Sequence, residues 1–268
     1  MSDDITAVPR TKGALILTTK PVGAGSGLDR FRSSGAMKAL FARGSDVQAI
    51  LINTSGGLTG GDKIDITCIA GQNSHLSCTT QAAERAYRAD SGQAELHTEL
   101  TVEAGASLHW LPQEMILFDG SALSRSLSVD LQAEAQFLAV EPIVFGRAAM
   151  GEQLTQIAFK DRIAIRREGT PLYMDGLDLT GDSVAHLAKL ATAQGGGAMA
   201  SLIYVAPNAE AHLKPLQMLM PQTGGVSLLQ PDVLVMRLVA QDSFALRQTL
   251  VPVLNRLTDN SLPTSWRL

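Results

Sequence analysis

The stretch Leu123-Ser-Arg-Ser-Leu-Ser-Val-Asp-Leu131 alternates with a period of two residues. Its odd positions are mostly apolar, whereas its even positions carry three serines and an aspartate. Because successive side chains of a strand point to opposite faces, this alternation indicates a half-buried β-strand. The same period dominates the chain as far as about residue 180.

The alternation recurs in many short segments. The residues expected to point inward in two further strands are Ile64, Ile66 and Cys68, and then Leu96, Thr98, Leu100 and Val102. Other strands are predicted at 13–19, 47–52, 75–80, 106–111, 136–145, 154–166 and 172–178. Short strands with frequent glycine-bearing turns favour an antiparallel sandwich, a barrel or a solenoid-like all-β body. No repeat of fixed length is visible, so a strict-repeat solenoid is not predicted.

The C-terminal third adds helical patterns to strands predicted at 199–206 and 232–239. One helix is predicted at about 209–220, capped by Asn208, and a second at about 243–257, capped by Asp242 or Ser243. Prolines inside both patterns predict a kink or a later start. Residues 183–191 have a weaker helical pattern. The expected fold is therefore a mainly β, solenoid- or sandwich-like body with about two α-helices in the C-terminal third, forming a single domain over 1–268.

Composition narrows the function classes. The 268 residues are 45% hydrophobic and 18% charged, which excludes extended disorder. A net charge of −4 and 4% aromatics argue against nucleic acid or an anionic membrane as a partner. No apolar run is long enough for a membrane span, and the first ten residues do not look like a signal peptide. The expected compartment is the cytoplasm.

Common catalytic motifs do not match this chain. The string GGLTGGDK (56–63) lacks the Gly-Lys-Ser/Thr ending of a phosphate loop, and no Gly-x-Ser-x-Gly or His-Glu-x-x-His occurs. Cys68 and Cys78 are both in phase with apolar strand faces, so we interpret them as core cysteines, with a metal site that includes His75 as the alternative. The sequence therefore predicts neither a nucleotide-dependent nor a metal-dependent enzyme.

Four segments are rich in polar residues that a plain β scaffold would not need. They read NTSGGLTGGD (53–62, block 1), TTQAAERAYR (79–88, block 2), WLPQEMILFDG (110–120, block 3) and EPIVFGRAAMGE (141–152, block 4). In this order and at about this spacing, the blocks resemble the signature segments of the urease accessory protein UreD family, called UreH in some bacteria. The chain length and the Trp266-Arg267 ending are also similar.

The resemblance implies a β-rich, solenoid-like fold with two helices and a function without chemistry of its own. Members of the family join UreF and the GTPase UreG in a complex that docks on apo-urease and delivers nickel to its active site. The expected partners are therefore UreF, UreG (through UreF) and the apo-urease subunits. Nickel would be a transient cargo, and no tightly bound cofactor is expected.

A protein that passes Ni²⁺ onward needs sites that are favourable to enter and weak enough to leave. Oxygen donors suit this better than clustered thiolates and imidazoles. We hypothesise that five acids of the blocks line an internal polar passage: Asp62, Glu84, Glu114, Asp119 and Glu141. Structural roles are expected for the remaining signature residues: Gly56, Gly57, Gly60, Gly61, Gln81, Arg85, Arg88, Pro112, Gly146 and Arg147.

The acids also have a structural interpretation. Glu84 could pair with Arg85 or Arg88, and Glu141 with Arg147, each pair holding adjacent turns together. In block 1, the aspartate could hydrogen-bond the backbone of its own turn, whose glycines would supply positive φ angles.

Two further alternatives remain open. A β-rich carbohydrate-active hydrolase would use Glu114 and Asp119 as its carboxylate pair, although aromatic platforms are scarce.

The two C-terminal helices could dock UreF through their apolar stripes, or they could simply close the end of the core.

Overall fold

The computed structural model describes residues 9–147 and 150–266. The sequence-based expectations for residues 1–8, for the two alanines of block 4 (148 and 149) and for Arg267 lie outside the described residues. The β-strands of the described ranges are β1 (Lys12–Val22), β2 (Gly25–Gly35), β3 (Met37–Ala42), β4 (Val47–Asn53), β5 (Lys63–Ala70), β6 (His75–Thr80), β7 (Glu84–Ala86), β8 (Ala94–Val102), β9 (Ser107–Leu111), β10 (Met115–Leu117), β11 (Ala122–Leu131), β12 (Gln136–Phe145), β13 (Ile157–Arg167), β14 (Thr170–Gly181), β15 (Ala198–Val205), β16 (Gly224–Gln230) and β17 (Val233–Ala240). The α-helices are α1 (Ser183–Leu187), α2 (Ala209–Gln217) and α3 (Ser243–Leu257).

The strands form two sheets. Sheet A has the order β14-β13-β11-β8-β5-β1-β2, and the main path of sheet B has the order β16-β17-β15-β12-β9-β6-β4-β3. From β4 to β13 the long strands alternate between the sheets, and successive strands within each sheet pair in parallel. This winding makes the body a solenoid, with antiparallel strands added at both edges.

The inward faces of the two sheets form the main core, which the two-residue period predicts. In β11 every odd position is buried, whereas Ser124, Ser126 and Ser128 are partly exposed and Asp130 is exposed. Parallel register stacks equivalent positions, so that Ile66, Thr98, Leu127 and Ile163 lie in one row across sheet A. Alternation of buried and exposed residues defines the strands of each solenoid turn, but the turns differ in length. For this reason no fixed repeat is visible in the sequence.

The mainly β prediction is confirmed, and each strand predicted from alternation is present. Five strands were not predicted: β2, β3, β7, β10 and β16. β2 has no buried position and therefore no readable alternation, while β7 and β10 are three residues long. Among the options left open for the β body, parallel pairing identifies the solenoid.

The predicted helices are present with small differences. α3 spans the predicted residues, and the Asp242 carboxylate caps it by accepting from the Ala245 amide at 2.8 Å. α2 ends at Gln217, and the Asn208 side chain makes no capping bond; it accepts from the Tyr204 hydroxyl instead. Both prolines lie inside the helices, and the weak pattern at 183–191 contains the short helix α1.

The apolar stripe of α3 packs on the outer face of sheet B and forms a second core with strand residues and Trp266. The buried stripe consists of Leu246, Leu250, Val253, Leu254 and Leu257. This is the core-closing role, so the stripe of α3 is already covered within the chain. No helix among the described residues has the length and apolarity that crossing a membrane requires.

Candidate functional site

The four blocks lie at one edge of the solenoid. Each continues past the C-terminal end of one of four neighbouring strands of sheet B, namely β4, β6, β9 and β12. Because these strands are parallel, their C-terminal ends meet at the same edge. Segments far apart in the sequence are therefore stacked on one another.

Short parallel pairings hold this stack together. Leu58 of block 1 bridges Ala86 of block 2, Ala86 pairs with Leu117 of block 3, and Leu117 pairs with Phe145 of block 4. All four side chains are buried. The blocks thus form a small β-layer of their own, which explains why β7 and β10 are so short.

A cavity of about 150 Å³ lies between the two sheets, beneath the blocks. Two of the five predicted passage acids, Glu84 and Glu141, line it. The signature residues that also line it are Gly56, Gln81, Arg85 and Pro112. Its other walls are largely apolar core side chains, so polar and apolar surfaces share the same space.

Glu84 is partly buried on the cavity wall. One of its carboxylate oxygens accepts from the Asn53 amide at 3.0 Å, and the other accepts from the backbone N–H of Arg85 at 3.0 Å. Burial raises the pKa of Glu84, and the hydrogen bonds from Asn53 and Arg85 only partly oppose this. The predicted pairing with Arg88 is wrong, because Arg88 binds Asp119 at 2.6 Å.

Glu141 belongs to a buried ionic triad at the inner end of the cavity. The Arg125 guanidinium lies 2.7 Å from Glu141 and makes two bonds of 3.0 and 2.6 Å to Asp161. The Trp110 indole N–H donates to the second oxygen of Glu141 at 2.8 Å. The three charged residues are only 6–7% exposed. The predicted pairing of Glu141 with Arg147 is therefore wrong.

The triad has unequal charges, with two carboxyl groups and one guanidinium. Burial raises the pKa of Glu141; the charge of Arg125 opposes the shift, and the charge of Asp161 adds to it. For Arg125, burial disfavours the charged form, but the neighbouring carboxylates outweigh it and raise the pKa. The guanidinium is thus a permanent cation inside the core.

Arg125 and Asp161 were missed as site residues. Both occupy inward positions of alternating strands, where the neighbouring inward residues are apolar. A charged residue in the buried phase of a strand needs a partner, since an unpaired buried charge is very costly. A charged residue at a position that the alternation predicts to be buried is therefore the signal that could have identified them.

Glu114 lies outside the lining of the cavity but next to it. Its carboxylate binds Arg247 of α3, with the Arg247 Nε 2.6 Å from Glu114 Oε1. Arg247 also donates to the side-chain oxygen of Gln113, which lines the cavity. The nitrogen of that amide, Gln113 Nε2, is buried and has no hydrogen-bond partner among the described residues.

The other two predicted passage acids hold turns and do not line the cavity. Asp62 is buried and accepts from the backbone N–H groups of Thr59 at 2.8 Å and Thr11 at 2.7 Å, which is the structural role considered for it. Asp119 accepts from the backbone of Gln156 and Thr155, and these hydrogen bonds lower its pKa.

Arg147 forms its ion pair within block 4. Its guanidinium binds Glu152 at 3.0 Å and lies over the Phe118 ring at 4.3 Å. Gly146 has a φ of +77°, a conformation that favours glycine. Gly60 is needed for a different reason: a Cβ there would be 2.1 Å from the Ser91 carbonyl oxygen.

The cysteines are core residues, as interpreted. Cys68 and Cys78 are free and buried, with their sulfur atoms 3.8 Å apart. Across the described ranges, no three His, Cys, Asp or Glu side chains are grouped so that they could hold a metal ion.

Comparison with known proteins identifies the family of this chain. The family model described as "UreD urease accessory protein" matches residues 11–267. The chain is 53% identical over 262 residues to the urease accessory protein UreD of Roseobacter denitrificans, covering 97% of this chain and 96% of that protein. It is 49% identical to the UreD of Ruegeria pomeroyi, covering 94% of this chain and 99% of that protein. This chain therefore belongs to the UreD family of urease accessory proteins.

Proposed function

We propose that this chain is a non-enzymatic urease maturation factor that helps nickel reach the urease active site. It would act in the cytoplasm as the scaffold that carries UreF, and through UreF the GTPase UreG, onto apo-urease. Family membership supports the accessory role. The nickel-carrying part is what the resemblance implies, and a cavity in the chain supports it.

The observation that carries it is the cavity beneath the stacked blocks. Glu84 and Glu141 line it together with Asn53 and Gln81, so oxygen donors are spread along a space of about 150 Å³. A space of this size accommodates water molecules beside an ion. Of the five acids in the hypothesis of a polar passage, we keep Glu84 and Glu141 in the proposal, because the other three do not line the cavity.

This arrangement suits a transient cargo. Spread carboxylate and amide oxygens bind Ni²⁺ more weakly than clustered thiolates or imidazoles, and weak binding allows release. Nickel would then be held briefly, with waters and main-chain oxygens completing its coordination.

The accessory role is tested by co-expressing urease with its accessory proteins, with and without this chain. We expect inactive, nickel-poor urease when the chain is absent. Full activity and full nickel content without it would contradict the proposal. Binding of UreF is measured in parallel by co-purification.

The passage is tested with isosteric variants in the same assay. Glu84→Gln and Glu141→Gln should lower the nickel content of urease while UreF is still bound. Asp65→Asn, which changes an exposed acid on the outer face of β5, is the matched control and should have no effect. Wild-type nickel content with both cavity variants would rule out these acids as passage residues.

No observation favours the carbohydrate-active hydrolase. Its two candidate carboxylates have separate partners: Glu114 binds Arg247, whereas Asp119 binds Arg88 and the backbone near Thr155. A glycosidase needs both carboxylates to face one sugar.

A further inference from the structure

The buried triad lies between two cavities. Arg125 and Glu141 line the large cavity described above, whereas Asp161 lines a second one of about 10 Å³, roughly the space of one water molecule. Both cavities are bounded by sheet A on one side and sheet B on the other. The bond between Arg125 and Asp161 therefore links a residue that lines one cavity to a residue that lines the other.

Polar residues continue from the triad to the protein surface. Across sheet B, Glu141 pairs in register with Ser201, and Ser201 pairs with Arg237. Arg237 forms an ion pair with Asp175 of β14, and both line the second cavity. A polar track thus leads from Glu84, through the triad, to Asp175 on β14, the outermost strand at one side of sheet A.

We propose that Arg125 is the gate of this track: its guanidinium occupies, as a built-in cation, the position between Glu141 and Asp161 that a divalent ion in transit would take. The inference rests on the proposed nickel-carrying function and deepens it by naming the residue that keeps the track closed to cations.

The geometry explains why Arg125 would block a cation. A guanidinium held by two charge-assisted hydrogen bonds to Asp161 and an ion pair with Glu141 is well anchored, and in the core its charge repels another cation strongly. Passage would require the guanidinium to release at least one carboxylate. Each carboxylate that it releases becomes available to the ion, so gate opening and ion binding use the same groups.

The test removes the cation and keeps the two carboxylates. In the full-length chain, Arg125→Met should increase Ni²⁺ affinity at least about tenfold over wild type, measured by titration calorimetry. The matched controls are Arg125→Lys, which retains a positive charge, and the triple variant Arg125→Met/Glu141→Gln/Asp161→Asn, which has no carboxylates. Neither control should gain affinity.

A folded Arg125→Met chain that binds Ni²⁺ no better than wild type would overturn the gate. If that variant is too unstable for calorimetry, the expected result is a rise in its melting temperature with Ni²⁺ that the triple variant lacks; no such rise would also overturn it. The affinity comparison does not involve urease. Full urease activity and nickel content without this chain would therefore refute the proposed function separately.

Discussion

The guanidinium of Arg247 lies against the carboxylate of Glu114, with Arg247 Nε 2.6 Å from Glu114 Oε1, although 133 residues separate them in the chain. Glu114 is 4% exposed, and Arg247 also lies 5.1 Å from the Trp266 ring centre. This contact fastens α3 to block 3 at the border of the cavity. It makes the C-terminal helix a support of the block edge.

Removing the cation of this pair should be destabilising. Arg247→Met leaves the Glu114 carboxylate buried and uncompensated, and we expect a loss of about 3 kcal/mol in the free energy of unfolding, measured with urea. The double variant Arg247→Met/Glu114→Gln removes the charge as well and should recover part of that loss. Equal losses in the single and double variants would show that the charge pair is not the cause.

Glu84 should give stability a specific pH dependence. Its pKa is raised by burial, so the folded chain holds this proton at pH values where the unfolded chain has lost it. Stability therefore falls as the pH rises from the ordinary glutamate value, about 4.3, through the folded pKa. Glu84→Gln lacks this contribution and should melt at a higher temperature than wild type at pH 7.

The stability gain of Glu84→Gln should disappear below pH about 4, where both states of the wild type are protonated. Glu99→Gln, which changes an exposed glutamate on β8, is the control and should not show this pattern. A pH-independent difference between wild type and Glu84→Gln would contradict the assignment.

Gly60 should not tolerate a side chain. A Cβ at this position would be 2.1 Å from the Ser91 carbonyl oxygen, so the backbone of block 1 would have to move. We expect Gly60→Ala to cost about 1–3 kcal/mol of unfolding free energy. Gly225→Ala is the control, because a Cβ added there would have no atom within 4 Å. Similar effects of the two substitutions would disprove the crowding argument.

The N-terminus of α3 should depend on its cap. The Asp242 carboxylate accepts from the Ala245 amide at 2.8 Å, so Asp242→Ala should cost about 1 kcal/mol in chemical denaturation. Asp242→Asn keeps an acceptor and should be close to wild type. A loss of the same size in both variants would indicate that the charge, and not the cap, matters.

Much of the fold could be predicted from local patterns in the sequence. The alternation in β11 or β8 depends only on which face of one strand is buried, so it can be read from a few residues. The cap and the buried stripe of α3 are equally local. Edge strands such as β2, with no buried position, left no such pattern and were not predicted.

The site was less predictable because its contacts are long-range. Four polar blocks could be recognised, but not that parallel strands would stack them at one edge. The structural interpretation of Glu141 offered Arg147, an arginine of its own block, as the partner, yet Glu141 binds Arg125 of the preceding strand across the core. Proximity within a block is a poor guide here, because the winding places β11 and β12 in different sheets whose inward faces meet across the core.

The sequence by itself determined the positions of the alternating strands, the C-terminal helices, the four blocks and the resemblance to the UreD family. Only the tertiary structure decided that the strands wind as a parallel solenoid, that Glu84 and Glu141 share a cavity while Asp62 and Asp119 do not, and that Arg125 separates two cavities. The physical reason is that alternation records burial, a property of each residue, whereas register and charge pairing are relations between strands that the chain brings together only on folding.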